Sequence, residues 1–304
     1  VGPLGAKLIL TARSVAAMEE VKAQITAAGA SPQDVAILPA DLASLDELPA
    51  LAETAIGLFG GVDVFVNNAG FTQREIGANT DFAVDRKMVN VNFLSGGDYS
   101  RFEPFAGGQD TPDGVVLQPI RCWLNPASPA VRSLADEGIA AEHGGAGGGR
   151  LINISSLAGK VGVPVRTSYC GCKHAMIGFF DALRAEEYAR GTGIGVTNVC
   201  PGSVRTNVAR NAVTGSVENL RGTSDSNVEA GLDPTYVCER ILAAAASDVD
   251  EVGILPYRGP SVHAIPVSVS TPSPLHMHIH IIHIIPIIPI PIPIPIPIPI
   301  PIPI

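Results

Sequence analysis

Ser156 stands thirteen residues before Tyr169, and Tyr169 opens the run Tyr169-Cys170-Gly171-Cys172-Lys173, with a phenol and an ammonium four positions apart. On a helix that spacing puts both groups on one face, a turn apart. The residue types suit proton transfer coupled to a hydride transfer. Reducing a carbonyl needs a hydride donor, a proton donor for the developing alkoxide, and a dipole that holds the oxygen while charge builds on it. Tyr169 can supply the proton. A free phenol, with a pKa near ~10, is too weak an acid, but a neighbouring ammonium favours the phenolate and moves it toward neutrality. Lys173 is placed to do this. Taken singly, a Tyr and a Lys four apart on a helix are ordinarily a surface pair, and Ser155-Ser156 after a strand is ordinarily a turn; the combination carries the signal.

The elements around these residues alternate. Residues 7–10 read as a short strand running into Thr11-Ala12-Arg13-Ser14. A helix follows, with Ala17, Met18, Val21, Ile25 and Ala28 at helical spacing and Gly29 as its stop. Residues 35–38 form the next strand, closed by Asp41-Leu42, and Leu45, Leu48, Leu51, Ala52, Ala55 and Ile56 mark a second helix ending at Gly60-Gly61. Residues 62–66 form a third strand that opens into Asn67-Asn68-Ala69-Gly70, and residues 82–94 a helix carrying Asn92. Further on come a strand over 150–154, a long helix over 168–189, a strand over 195–200, a helix led by Asp233-Pro234, and a last strand over 252–255. Strands alternating with helices predict an α/β fold, a doubly wound parallel sheet covered on both faces.

Two stretches break the pattern. Residues 97–128 hold four prolines and the chain's only Trp and follow neither period, so they read as an irregular insertion inside a helix that resumes at residues 129–134. From residue 256 the sequence passes through His276, His278 and His280 into alternating Ile and Pro. Proline at every second position removes half the backbone donors and forbids a helix, so this 256–304 tail is expected to be extended and disordered and unable to span a bilayer as a helix. Alternate histidines have the ligand type for a metal but no second shell, and no metal site is expected.

Composition excludes several classes. The chain of 304 residues has 29 acidic and 20 basic side chains, a net charge of -9 and no basic cluster, which argues against a nucleic-acid partner. Its five cysteines are odd in number and irregularly spaced, as expected for reduced thiols. Cys170 and Cys172, two apart on a helix, point to different faces and make a poor metal or redox pair.

The order Asn67-Asn68-Ala69-Gly70, Ser156, Tyr169 to Lys173, then Pro201-Gly202 at the end of a strand resembles the short-chain dehydrogenase/reductase family. Arg166-Thr167-Ser168-Tyr169 and Lys173-His174-Ala175 resemble its microsomal, hydroxysteroid-dehydrogenase-like branch. The resemblance covers about residues 5–96 and 129–255. It implies a Rossmann-like domain over residues 1–255 and an oxidoreductase acting between a nicotinamide cofactor and an alcohol or carbonyl. The substrate it suggests is lipid-, steroid- or retinoid-like. It implies Tyr169 as acid/base, Lys173 also on the nicotinamide ribose, Ser156 on the substrate oxygen, and Asn92 holding a water in a proton relay. The implied cofactor contacts are Arg13, Asp41, Leu42, Asn68, Ala69, Gly70, Tyr169, Lys173, Pro201, Gly202, Val204 and Thr206. Arg13 matches the position where a basic side chain meets a 2′-phosphate, which favours NADP(H) over the alternative, NAD(H). Residues 207–231 occupy the place of the family's substrate lid.

Against that family the chain lacks a first strand and the Gly-rich turn that anchors the pyrophosphate. The loss of a central strand is expected to leave its neighbours with unpaired backbone groups. Each abrupt loss of pattern suggests an incomplete gene model. The alternative to an enzyme is accordingly a non-catalytic remnant or scaffold protein unable to bind cofactor. The resemblance further implies a small-molecule substrate, a homodimer through the helices flanking the active site, membrane association only through a segment missing at the front, and a cytoplasmic or endoplasmic-reticulum location.

Overall fold

Short runs of β-branched and leucine side chains form parallel strands, and each is followed by a helix or turn that carries the chain back. A computed structural model describes residues 6–96, 149–191 and 194–255. The 97–128 insertion, the resumption of its helix, the 256–304 tail with its histidines and Cys122 lie outside the described residues.

Strand β1 (Leu8–Ala12) leads to helix α1 (Val15–Ala27), then to β2 (Val35–Pro39) and α2 (Leu48–Phe59). Ser14 starts α1 by accepting from the Ala17 amide at 3.2 Å, as an N-cap should. Gly60 ends α2 at a φ of 77°, in the left-handed region a glycine enters without strain. Strand β3 (Val64–Asn67) is followed by α3 (Phe82–Val89), β4 (Arg150–Ile154), α4 (Thr167–Arg190) and β5 (Gly195–Pro201). A short helix α5 (Ser226–Glu229), then α6 (Pro234–Ala246) and β6 (Glu251–Ile254), complete the order. Pro234 at the first helical position and an Asp233 side chain accepting from the Thr235 amide start α6 as the sequence predicts. The helix expected over residues 82–94 changes character at Asn90, where a π-helical turn runs through Leu94. Pitch changes of this kind leave no mark in apolar spacing.

All pairings are parallel, and they divide into two sheets: β1 with β2, and β3-β4-β5-β6. Among the described residues no strand pairs with both β1 and β3. Val64 and Val66 of β3 remain exposed. Strands β4 and β5 at the centre of the four-stranded sheet are covered on both faces. Leu151 and Val196 pack with Met176 and Phe180 of α4, while Ile152 and Val199 pack with Val237 and Ala245 of α6. Adjacent residues of one strand thus serve opposite cores, as pleating requires.

Three asparagines share one row of that sheet, with Asn67 beside Asn153 and Asn153 beside Asn198. Long bonds of 3.5 and 3.4 Å join them in order, and Asn198 donates to Asp181 of α4 at 2.8 Å. A Cβ on Gly96 would come within 2.1 Å of the Asn67 amide nitrogen, so the chain there passes close enough to need glycine.

Candidate active site

The site lies at the carboxyl ends of the strands, where parallel sheets leave room for ligands. Strand β4 ends at Ile154, and the chain turns through Ser155 and Ser156 into a single 3-10 turn, Leu157–Gly159. Ser156 caps that turn, its Oγ accepting from the Ala158 amide at 3.1 Å. Gly159 then passes against α4. A Cβ there would meet Ser155 Oγ at 2.6 Å and both Ile177 Cδ1 and the Lys173 carbonyl oxygen at 2.8 Å. Close approach of this turn to α4 is what brings Ser156 to Tyr169.

The first turn of α4 is fastened by side chains from elsewhere. Arg166 occupies its N-cap position without a capping bond of its own. Fully buried Gln73 accepts from the Ser168 amide at 3.2 Å while donating to Thr80 at 2.6 Å. The Ser168 hydroxyl donates to Asp85 on α3. One free amide of the helix end is thereby satisfied from the loop after β3.

Ser156, Tyr169 and Lys173 come together as the sequence predicts. The Ser156 hydroxyl is near enough to the Tyr169 phenol to favour its ionised form. The Lys173 ammonium lies 5.9 Å from the Tyr169 ring centroid and donates to the Ile154 carbonyl at 2.7 Å. Burial raises the pKa of Tyr169 above its ordinary value; Ser156, Arg166 and then Arg74 oppose that rise, while Cys170 adds to it. Tyr169 is therefore a protonated phenol at neutral pH, ready to donate. Burial pulls Lys173 down to about 8, with Cys172 and Cys200 acting in the other direction. The cations that favour the phenolate are Arg166 and Arg74, which the Tyr-to-Lys spacing does not reveal; the move toward neutrality expected from Lys173 is not found, because burial outweighs the cations and Lys173 is not one of them.

Asn92, also buried, sits in the π-helical turn. Its Oδ1 accepts from the Phe71 amide at 3.0 Å and its Nδ2 donates to the Phe71 carbonyl at 2.7 Å. Both ends of the side chain thus hold the loop that follows Gly70.

The expected cofactor residues fall along strand ends. Arg13 follows β1, is exposed and has no ion pair among the described residues. Ala12, Arg13 and Ser14 line an open cleft of about 480 Å³. Asp41 folds back on itself, accepting from the Ala43 amide at 3.0 Å, with Leu42 between them. Asn68, Ala69 and Gly70 extend from β3, the Asn68 amide bonding to the Val66 carbonyl at 3.1 Å. Pro201 ends β5, and the Gly202 amide donates to the Ile254 carbonyl at 2.9 Å. Val204 bridges to Leu232, and Thr206 Oγ1 accepts from the Val208 amide at 3.4 Å. Among the described residues no group of acidic, His and Cys side chains could hold a metal, and no helix is long and apolar enough to cross a membrane.

Sequence reasoning missed Arg74, Asp225 and Gln73, whose roles depend on distant partners. Arg166 had a signal, since it precedes Tyr169 by three positions.

The chain was compared with known proteins. A family model described as short chain dehydrogenase matches residues 2–98 and 131–216. The human protein named dehydrogenase/reductase SDR family member 7 is 29% identical over 253 residues, covering 83% of this chain and 63% of that protein. The Bos taurus protein named dehydrogenase/reductase SDR family member 7B is 30% identical over 251 residues, covering 82% of this chain and 65% of that protein. The chain thus spans less than two thirds of the length of these relatives. Among solved structures, a short-chain dehydrogenase from Streptomyces avermitilis superposes with a TM-score of 0.57 at 20% identity, covering 82% of this chain and 80% of that one. A metagenomic short-chain oxidoreductase in complex with NADP gives 0.55 at 23% identity, covering 85% and 89%. These two likenesses show the fold, a Rossmann-like parallel α/β arrangement. With the family model matched over more than half of the chain, including the stretch that holds Ser156, Tyr169 and Lys173, the chain belongs to the short chain dehydrogenase family.

Proposed function

We propose that the chain carries the catalytic residues of an oxidoreductase that moves a hydride between NADP(H) and an alcohol or carbonyl. The observation that carries this reading is the gathering of Ser156, Tyr169 and buried Lys173, whose ammonium lies 5.9 Å from the Tyr169 ring centroid one turn further along α4. Tyr169 gives its proton to the substrate oxygen on reduction and takes one back on oxidation. Ser156 directs its hydroxyl to the same oxygen, and Lys173 holds positive charge behind the phenol. The nicotinamide supplies or accepts the hydride when bound. Arg13 would meet the 2′-phosphate that separates NADP(H) from NAD(H), and Asp41, Leu42 and residues 68–70 would meet the adenosine. Lys173 and residues 201–206 would hold the nicotinamide end. Tyr169 packs against a buried cluster of Val84, Met88, Cys172 and Val213, apolar surroundings that favour a substrate with an apolar body, such as a lipid, steroid or retinoid.

Tyr169→Phe is expected to abolish turnover while NADPH still binds. Retained turnover would overturn the assignment. The second reading, a scaffold without cofactor, is favoured by the separation of β1-β2 from the four-stranded sheet. Calorimetric titration of NADPH decides between them, because a dissociation constant below about 10 µM, roughly -7 kcal/mol, excludes the scaffold.

A further inference from the structure

Asp225 gathers three guanidinium groups from three separate parts of the chain. Arg74, in the loop after β3, brings Nε and Nη2 each to 2.8 Å from Oδ2. Arg221, four residues before Asp225, binds Oδ1. Arg166, at the start of α4, brings Nη2 to 3.6 Å from Oδ2. One carboxylate faces three cations, so the group keeps more positive than negative charge.

The three arginines are not used alike. Arg74 is nearly saturated, since its Nη1 also donates to Thr72 Oγ1 and the Gln73 carbonyl. Arg166 holds only the long contact to Asp225, and its Nε is sealed from solvent with no acceptor among the described residues. For a structural anchor that is a poor arrangement, because a buried donor without a partner costs stability. The backbone ahead of it is strained as well. Val165 has a φ of 59°, unfavourable for a β-branched residue, and the Glu75 amide donates to its carbonyl at 3.1 Å. The chain thus fixes Arg166 at a place where its own bonding gains little. That place is the N-cap of α4, three residues ahead of Tyr169 in the helix's first turn.

We propose that Arg166, steadied by Asp225 and Arg74, is a positioning residue whose charge eases proton release from Tyr169. The proposal rests on reading Tyr169 as the proton donor. The ionisable groups around the phenol are Lys173, Cys170, Cys172 and Arg166 on or beside its own helix, Asp85 on α3, Arg74 on the loop after β3, and Asp225. Of these, Arg166 and Arg74 favour the phenolate, after the Ser156 hydroxyl, against burial and Cys170. The effect is reciprocal: Tyr169 and Asp225 both favour the charged form of Arg166, against burial and Arg74.

Ultraviolet difference titration of the full chain against its Tyr169→Phe variant isolates this phenol among the five tyrosines and needs no turnover. Arg166→Gln is expected to move the Tyr169 titration to higher pH, and Arg166→Lys to keep it near the parent position. A glutamine variant that titrates with the parent, or a lysine variant that titrates with the glutamine one at equal thermal stability, overturns the proposal. Should Arg166→Gln fail to fold, Arg166→Met keeps the aliphatic stem and drops the charge, and the titration is again expected to move to higher pH; a titration that stays at the parent position overturns the proposal. Turnover retained by Tyr169→Phe would sink the catalytic reading and leave this titration untouched, so the two failures are distinguishable.

Discussion

The Lys173 ammonium donates to the carbonyl oxygen of Ile154 across 2.7 Å, tying the second turn of α4 to the end of the strand that delivers Ser156. One bond therefore sets the depth of the helix against the sheet and the distance between the two hydroxyls. It also keeps a cation in a place that water does not reach, with Lys173 only 4% exposed.

That burial has a measurable pH signature. The folded chain releases the Lys173 proton near a pKa of about 8, while the unfolded chain holds it to 10.5. Between those values the unfolded state binds more protons, so stability rises with pH. Relative to Lys173→Met, the parent is expected to gain up to about 3 kcal/mol across that window, measured by urea unfolding at a series of pH values. A stability difference that stays flat with pH would show that the ammonium is not buried.

Gly159 allows the close passage of the Ser156 turn against α4. Gly159→Ala drives a methyl into Ser155 Oγ, Ile177 and the Lys173 carbonyl, all at 2.6 to 2.8 Å. Overpacking of this kind is expected to cost about 1–3 kcal/mol. Gly162→Ala is the control, since nothing lies within 4 Å of its added carbon. Equal unfolding midpoints for the two variants would contradict the packing.

The thiols should divide by burial. Burial raises Cys172 to about 11 and Cys200 to about 12. Cys170 is also buried, its Sγ accepting from the Val163 amide at 3.3 Å, whereas Cys238 is exposed. Alkylation near pH ~8 is expected to label Cys238 in the folded chain and to reach Cys170, Cys172 and Cys200 only in denaturant, because the thiolate is the reactive form. Native labelling of Cys172 at the rate of Cys238, read by peptide mass, would refute the buried placement.

The parts of this protein legible in its sequence are those written locally. Apolar spacing located strands and helices because each element's geometry repeats within a few residues, and β4 is found at the very residues predicted, 150–154. Ser156, Tyr169 and Lys173 were legible for the same reason, all three lying on one turn and the helix after it. The π-helical turn at Asn90–Leu94 was not legible, since a single wider turn leaves the apolar spacing unchanged. Nor was the clasp between Asn92 and Phe71, which joins a helix to a loop. Arg74 and Asp225 are 151 residues apart and meet only because the segment after β5 crosses back over the start of α4. A side chain's chemistry is determined by its own atoms, and the sequence by itself settled which groups could transfer a proton. Which charges stand beside them depends on the path of the whole chain, so the tertiary structure alone decided that two arginines, Arg166 and Arg74, favour the Tyr169 phenolate.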